Sequence, residues 1–351
     1  MESKILIKDF DEIVLQKTNL KKLANKHILI AGANGFIGSY ILSFFLYLNE
    51  IKSLNITIHA LVRNKKKLNH ILEKNKKNEY LIIYQNDISK LKPKISHNID
   101  YIFHLASKAS PQEYINNPLD IIESNLFGTF NLAKIALEKD CERFVYFSSG
   151  EVYGSPVSKN QKFSEESFGT IDPLKLRSSN TESKRMAENI ILSINKKESL
   201  DFNIIRPFHT YGPGMSLDSG LIHNELISNI LSNENLILKS NGLAKRNFCY
   251  ISDFLAGFLK VLIHGEKNCA YNIANPYEEI TIKSLAKKLI HISKYSNLKV
   301  VYKIDNKNTT RDNNVSRSLP SIEKIKKLNW EPKIDLDEGI KRTLEYYKEI
   351  K

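Results

Sequence analysis

The feature that most constrains this chain is a glycine-spaced turn, Gly32-Ala33-Asn34-Gly35-Phe36-Ile37-Gly38, set directly behind the apolar run His27-Ile28-Leu29-Ile30 and ahead of an apolar stretch reaching about Leu48. A strand that passes into a helix through such a turn leaves free backbone N–H groups and the positive end of the helix dipole facing one point, where an anion is held. One glycine makes the tight turn, one lets a diphosphate approach the backbone, and one lets the helix pack on the strand. A glycine triplet alone carries little weight, but the strand–turn–helix setting near the chain start identifies it as a dinucleotide loop.

Further apolar runs lie at 56–62, 81–84, 101–105, 144–149 and 202–206, with helices expected at about 125–139 and 181–196. Strands alternating with helices predict an α/β fold, a Rossmann-type doubly wound parallel sheet. From Pro207 the texture changes to short helices between loops such as Tyr211-Gly212-Pro213-Gly214 and Asp218-Ser219-Gly220. That suits a smaller mixed α/β substrate domain at the carboxyl edge of the sheet, where open α/β sheets bind ligands. The expected organisation is a polar lead-in over 1–25, the dinucleotide domain over 26–206, and a mainly substrate-binding domain over 207–351. Segments such as 247–275 are expected to return to the first domain, and a patterned helix ending near Tyr347 to close the chain.

Composition narrows the partners. The 351 residues are 42% hydrophobic and 26% charged, as in ordinary globular proteins, and no apolar run reaches the roughly 20 residues of a membrane span. Glu2, Asp9, Asp11 and Glu12 stand where a signal peptide would need an apolar core. Cys141, Cys249 and Cys269 are too far apart to form a metal pattern, and their number is odd, so a reducing cytoplasm and no metal are expected. The net charge of +13 comes from lysine clusters without interleaved aromatics, such as Lys65-Lys66-Lys67. That pattern argues against a nucleic-acid groove and reads as solvated surface, while the basic field favours a dianionic ligand such as a nucleotide diphosphate.

Two more motifs, Ser148-Ser149-Gly150-Glu151-Val152-Tyr153-Gly154 and Glu182-Ser183-Lys184-Arg185-Met186-Ala187-Glu188, join the glycine turn. Together they resemble the extended short-chain dehydrogenase/reductase superfamily and, within it, the NAD-dependent epimerase/dehydratase family. Segments 104–111, 117–118, 125–129, 206–213 and 246–253 extend the likeness over nearly the whole chain from His27, toward the UDP-glucuronic acid decarboxylases and nucleotide-sugar 4,6-dehydratases. The resemblance implies a bound NAD(P), with NAD favoured, and a nucleotide-diphosphate sugar as substrate. It gives Gly32, Gly35, Phe36, Ile37 and Gly38 to the diphosphate, and Asp87 with Ile88 to the adenine side. Leu105, Ala106, Ser107, Pro207 and His209 would line the cofactor, and Tyr114 and Tyr153 would meet the substrate. Arg246 and Arg317 would grip the nucleotide diphosphate, a task suited to arginine's fork of donors. It further implies a cytoplasmic homodimer joined through helices near 115–140 and 181–196, with surface polysaccharide synthesis as the usual setting.

Four departures matter. The second strand ends in Val62-Arg63-Asn64 with no acid for a ribose hydroxyl; Arg63 either receives a 2′-phosphate, favouring NADP, or stacks on adenine in an NAD site. In the superfamily a Ser or Thr binds the substrate oxygen, and a Tyr moves its proton with help from a Lys four residues later. Ser149 and Lys184 match, but Asn180 stands where the tyrosine belongs, and an amide moves no proton. The substitution is a deliberate disabling change, a natural alteration or loss of chemistry, or a site where Tyr153, Glu151 or a water takes over. The Asp-Glu pair of the dehydratases reads Gly150-Glu151, and two cationic positions of the decarboxylases read Gly214 and Leu221, which turns expectation from a glucuronate toward a neutral hexose. The leading expectation is a nucleotide-sugar enzyme that oxidises C4 transiently. Its rivals are a non-catalytic binder of the same two ligands and an NADPH-dependent keto-sugar reductase.

Overall fold

A computed structural model describes residues 3–350 apart from 67, 69, 91, 108–109, 159–160, 296 and 305–318. Its centre is a seven-stranded sheet formed by β1 (His27–Ala31), β2 (Thr57–Val62), β3 (Leu81–Gln85), β4 (Tyr101–His104), β5 (Arg143–Phe147), β6 (Phe202–Pro207) and β7 (Cys269–Ile273). The strands lie in the order β3-β2-β1-β4-β5-β6-β7, all parallel. This is the Rossmann-type doubly wound α/β fold expected from the sequence. A parallel sheet needs both faces covered, which is why its strands read as nearly continuous apolar runs.

Each face has its own core. Ile28, Ile30, Ile58, Phe103, Val145 and Phe147 pack on one side, against α1 (Lys4–Val14), α2 (Phe36–Lys52) and other helices. Leu29, Ala31, Ile102, Phe144 and Ile204 pack on the other, under α3 (Pro118–Glu138) and α4 (Ser178–Glu198). Beyond the carboxyl edge lie α5 (Ile222–Leu231) and two short strand pairs, Leu236–Leu238 with Val300–Tyr302 and Lys245–Asn247 with Glu279–Thr281. The chain returns to the sheet through α6 (Ile251–His264) and β7, then builds α7 (Ile282–Ser293) and α8 (Leu336–Glu349). Strand β7, Cys-Ala-Tyr-Asn-Ile, has no apolar alternation and was not anticipated; it is made by its register on β6.

The lead-in is not polar, as its charged residues suggested, but amphipathic. Ser3 caps α1 through the amides of Ile5 and Leu6, and Phe10 meets Tyr40 and Phe44 edge-on with centroids 5.2 and 5.4 Å apart. Beside Phe10, the buried Asp9 accepts bonds from Tyr40 (3.0 Å), Tyr250 (2.9 Å) and Arg342 of α8 (2.7 Å). Arg342 also grips Glu12 and Glu338. Burial raises the Asp9 carboxyl to about 6 although its three bonds oppose the shift. In the first turn of α6, Asp253 accepts the amides of Lys333 and Ile334, and its backbone carbonyl accepts the indole N–H of buried Trp330 at 3.1 Å. The tail is thereby pinned to the helix that leads into β7.

Removing one partner of a buried ion pair strands the other, so Arg342→Met should lower the unfolding free energy by about 3–5 kcal/mol. The loss should grow as pH rises through about 6, because charged Asp9 then lacks its counterion; urea unfolding at acid and alkaline pH measures both effects. On the far edge of the sheet His59 is fully buried, bonded to His27 at 3.0 Å. Burial, then the neighbouring His27 and His97, lower its pKa from 6.5 to about 3. Below pH 6.5 the unfolded chain therefore takes a proton that the folded chain refuses, and stability falls with pH by up to about 1.4 kcal/mol per unit from this residue. A His59→Gln variant should show a shallower acid slope in the same experiment.

Candidate active site

The glycine turn is closed on itself by contacts that only glycine permits. Gly32 has a φ of +88°, and a Cβ there would lie 2.8 Å from the amide nitrogen of Ala106 on the neighbouring β4 loop. A Cβ on Gly38 would lie 2.4 Å from the Gly32 carbonyl oxygen, so the helix can rest on the turn only if residue 38 has no side chain. Helix α2 starts at Phe36 behind Gly35, and no side chain caps it. Its first amides are thus available to an anion at the switch point between β1 and β4, the crevice where such sheets bind ligands. The buried Ser107 and Ser148 hydroxyls, at the ends of β4 and β5, have no partner among the described residues. This cradle and its orphaned hydroxyls fit a dinucleotide.

The flanking positions lie along the same edge. Asp87 accepts the amide and hydroxyl of Ser89 at 3.0 and 2.7 Å. Its carboxyl lies below its ordinary range: burial alone would raise it, but the Ser89 bonds and the charges of Arg63 and Lys90 prevail. Arg63 is exposed, and Ile88 is buried, with its side chain where a Cβ on Gly128 would intrude at 2.7 Å. Leu105 and Ala106 form the wall beside Gly32. Pro207 ends β6, and His209 follows with a φ of +26°, a conformation costly for a residue with a side chain and commonest at functional sites.

At the ends of β5 and α4 the residues expected to do chemistry come together. The Ser149 hydroxyl accepts the Glu151 amide at 3.1 Å. One carboxylate oxygen of Glu151 accepts the Asn180 amide at 3.1 Å, and the other accepts Arg177 at 3.1 Å. Lys184 donates to the Phe147 carbonyl at 2.8 Å and lies over the Tyr146 ring, 5.1 Å from its centroid. Burial lowers its pKa to about 8 despite the nearby carboxylates of Glu188 and Glu151. Tyr114 faces Glu151 and Arg177, its hydroxyl pushed well up by burial. Arg246 is lowered by burial and then by the charge of Arg177. The His209 imidazole is held far below its usual value by burial and the charges of Arg246 and Arg177, so it stays neutral.

One expectation changes, and one residue was not foreseen. Tyr153, expected to meet the substrate, is 1% exposed and stacks on Phe163 and Phe208. Its hydroxyl is shared between Asn272 (2.6 Å) and Arg206 (2.9 Å), which makes it a core residue. Arg177 was missed: alone it is one more basic residue, and only its place one turn before Asn180 signals a role. Gly150 packs under Phe208, whose ring would lie 2.7 Å from a Cβ there, so a side chain at that position would have to displace the ring. Arg317 lies outside the described residues.

A family model described as the NAD dependent epimerase/dehydratase family matches residues 28–274. The chain is similar to UDP-glucuronic acid decarboxylase 5 of Arabidopsis thaliana, 32% identical over 321 residues that cover 90% of this chain and 88% of the relative. Among solved structures it resembles UDP-glucose 4-epimerase of Thermotoga maritima, with a TM-score of 0.79 at 24% identity over 92% of this chain and 99% of the other. It also resembles UDP-glucuronic acid 4-epimerase of Bacillus cereus, with a TM-score of 0.76 at 21% identity over 93% and 100% of the two chains. At those identities the structural likeness speaks for the fold.

A methyl group at position 38 has only backbone to press against. Gly38→Ala should therefore cost about 1–3 kcal/mol of overpacking strain and lower the dinucleotide content of the purified protein. Thermal unfolding and the absorbance of extracted cofactor measure the two effects.

Proposed function

The chain belongs to the NAD dependent epimerase/dehydratase family, and from that membership we propose that it modifies a nucleotide-diphosphate sugar by transient oxidation at C4 beside a bound nicotinamide dinucleotide. The observation that carries this reading is the charge balance at the mouth of the site. Arg177, Arg246 and Lys184 gather about the carboxylate of Glu151, while Glu188, the other carboxylate near Lys184, is paired with Arg206; a basic, partly desolvated cleft of this kind suits an anionic diphosphate. The dinucleotide, when bound, takes up a hydride and gives it back.

The residues have separable tasks in this reading. The α2 amides, Gly32, Gly35 and Gly38 hold the dinucleotide diphosphate; Asp87, Ile88, Leu105, Ala106, Ser107 and Pro207 shape its pocket. Arg246 holds the sugar-nucleotide diphosphate, with Arg177 beside it. The Ser149 hydroxyl donates to the sugar oxygen, since its lone pair already accepts the Glu151 amide. NAD is the cofactor named for the family; Arg63, exposed at the end of β2 and close to Asp87, is the feature that favours a 2′-phosphate. Because Gly150 supplies no acid beside Glu151, epimerisation fits better than a dehydration that needs an acid pair. A homodimer is supported by Leu119, Phe127 and Phe130 of α3 and Met186 and Leu192 of α4, all exposed apolar side chains on two helices packed together.

One second reading has its own observation. The amide of Asn180 supports a non-catalytic binder of the same two ligands. Mass spectrometry of small molecules released from the purified protein, followed by a panel of sugar nucleotides, separates the two readings. The expected result is a carried dinucleotide and at least one nucleotide sugar converted without net consumption of cofactor. A carried dinucleotide with no conversion of any sugar, even in Asn180→Tyr, would establish the binder instead.

A further inference from the structure

Oxidising a sugar hydroxyl requires a group that takes the hydroxyl proton, and the position that supplies it by family resemblance holds an amide. We propose that the Glu151 carboxylate accepts and returns this proton, and that Asn180 and Arg177 are the residues that position it. The inference rests on the reading of the site as a nucleotide-sugar enzyme.

The geometry singles out Glu151 by what holds it and by what disqualifies its neighbours. Asn180 is almost fully buried in the first turn of α4, and its amide donates to one carboxylate oxygen at 3.1 Å. Arg177, one turn earlier on the same face, donates to the other at 3.1 Å. The Glu151 backbone is tied in turn to the Ser149 hydroxyl. The carboxylate is thus held by two donors, on a residue whose own amide binds the Ser149 hydroxyl, while its side chain stays 39% exposed.

The alternatives are occupied elsewhere. Tyr153 is sealed in the core with both roles of its hydroxyl taken by Asn272 and Arg206. Lys184 is tied to the carbonyl of Phe147. Tyr114 faces the same carboxylate, but its desolvated hydroxyl holds its proton too firmly to serve as a base. A tyrosine at 180 would itself be the base; an asparagine there becomes a donor that orients one.

The step balances. The sugar O–H bond breaks and its proton passes to a Glu151 oxygen. The C–H bond on the same carbon breaks, its electron pair leaving with the hydrogen for the nicotinamide dinucleotide, and the carbon–oxygen bond becomes a carbonyl. The return step reverses each transfer, so neither proton nor hydride is consumed. Arg177, Arg246 and Lys184 face Glu151 from α4, its approach and the Lys245–Asn247 strand, and Tyr114 faces it from the helix after β4.

The test uses the holoprotein and a sugar nucleotide that the wild type converts. Single-turnover reduction of the cofactor is followed spectroscopically, and sugar-nucleotide affinity by calorimetry. Glu151→Gln should slow hydride transfer by about a hundredfold or more, the size of a general-base contribution, with affinity and thermal midpoint little changed. Asn180→Ala should lower kcat about tenfold without raising KM, and Asn180→Gln should recover part of the loss, as for a group that only orients the base. The wild-type rate should show no inflection near pH 8, the value for Lys184. A Glu151→Gln variant that transfers hydride at the wild-type rate would overturn the proposal. So would a rate that climbs through pH 8 and disappears in Lys184→Met. A wild type that binds sugar nucleotide but never reduces its cofactor removes the enzymatic reading, and the proposal with it.

Discussion

The whole arrangement depends on the absence of two side chains. With no Cβ at residue 32 or 38, the end of β1, the β4 loop and the first turn of α2 close to separations that any other residue would forbid. That closure sets the angle at which α2 leaves the sheet, and hence where its uncapped amides point. It also brings Leu105 and Ala106 against the turn, so a steric condition in one strand fixes the wall formed by another. The rest of the sheet is then wound outward from this crevice in both directions.

The second site-building principle is electrostatic. Burial works against Lys184 and Arg246, lowering both, and holds His209 neutral. Such a cluster is unfavourable without counter-charge, and of the two carboxylates near Lys184, Glu188 is already paired with Arg206. The imbalance is tolerable in a protein whose core is large and well filled on both sides of the sheet, and it is resolved when an anion enters. A clamped carboxylate among arginines is also stiff, since moving it would break bonds to two different residues of α4 and its approach.

What was legible in the sequence was what depends on neighbours in the chain. The glycine spacing, six apolar strands and the Ser149 and Lys184 motifs each carry their meaning in fewer than ten residues. What was not legible depends on distant partners. Strand β7 exists because β6 offers it a register, and its own residues do not announce it. Tyr153 sits in a motif that resembles a substrate contact, yet Asn272 and Arg206 claim its hydroxyl from 119 and 53 residues away. That Gly150 packs under Phe208, 58 residues on, could not be read from its own motif. Arg177 needed α4 to be in place before its partner could be seen.

The bond between Asp9 and Arg342 joins residues 333 positions apart. During synthesis α1 leaves the ribosome well before α8, so Asp9 must wait without its partner until the 333 positions between them have been made. Until then the aromatic face around Phe10 can dock but its carboxylate cannot be buried at low cost. Helix α8 therefore fastens α1 late: until Arg342 has been made, α1 is held by its aromatic face alone, and once it has, the two helices are locked together.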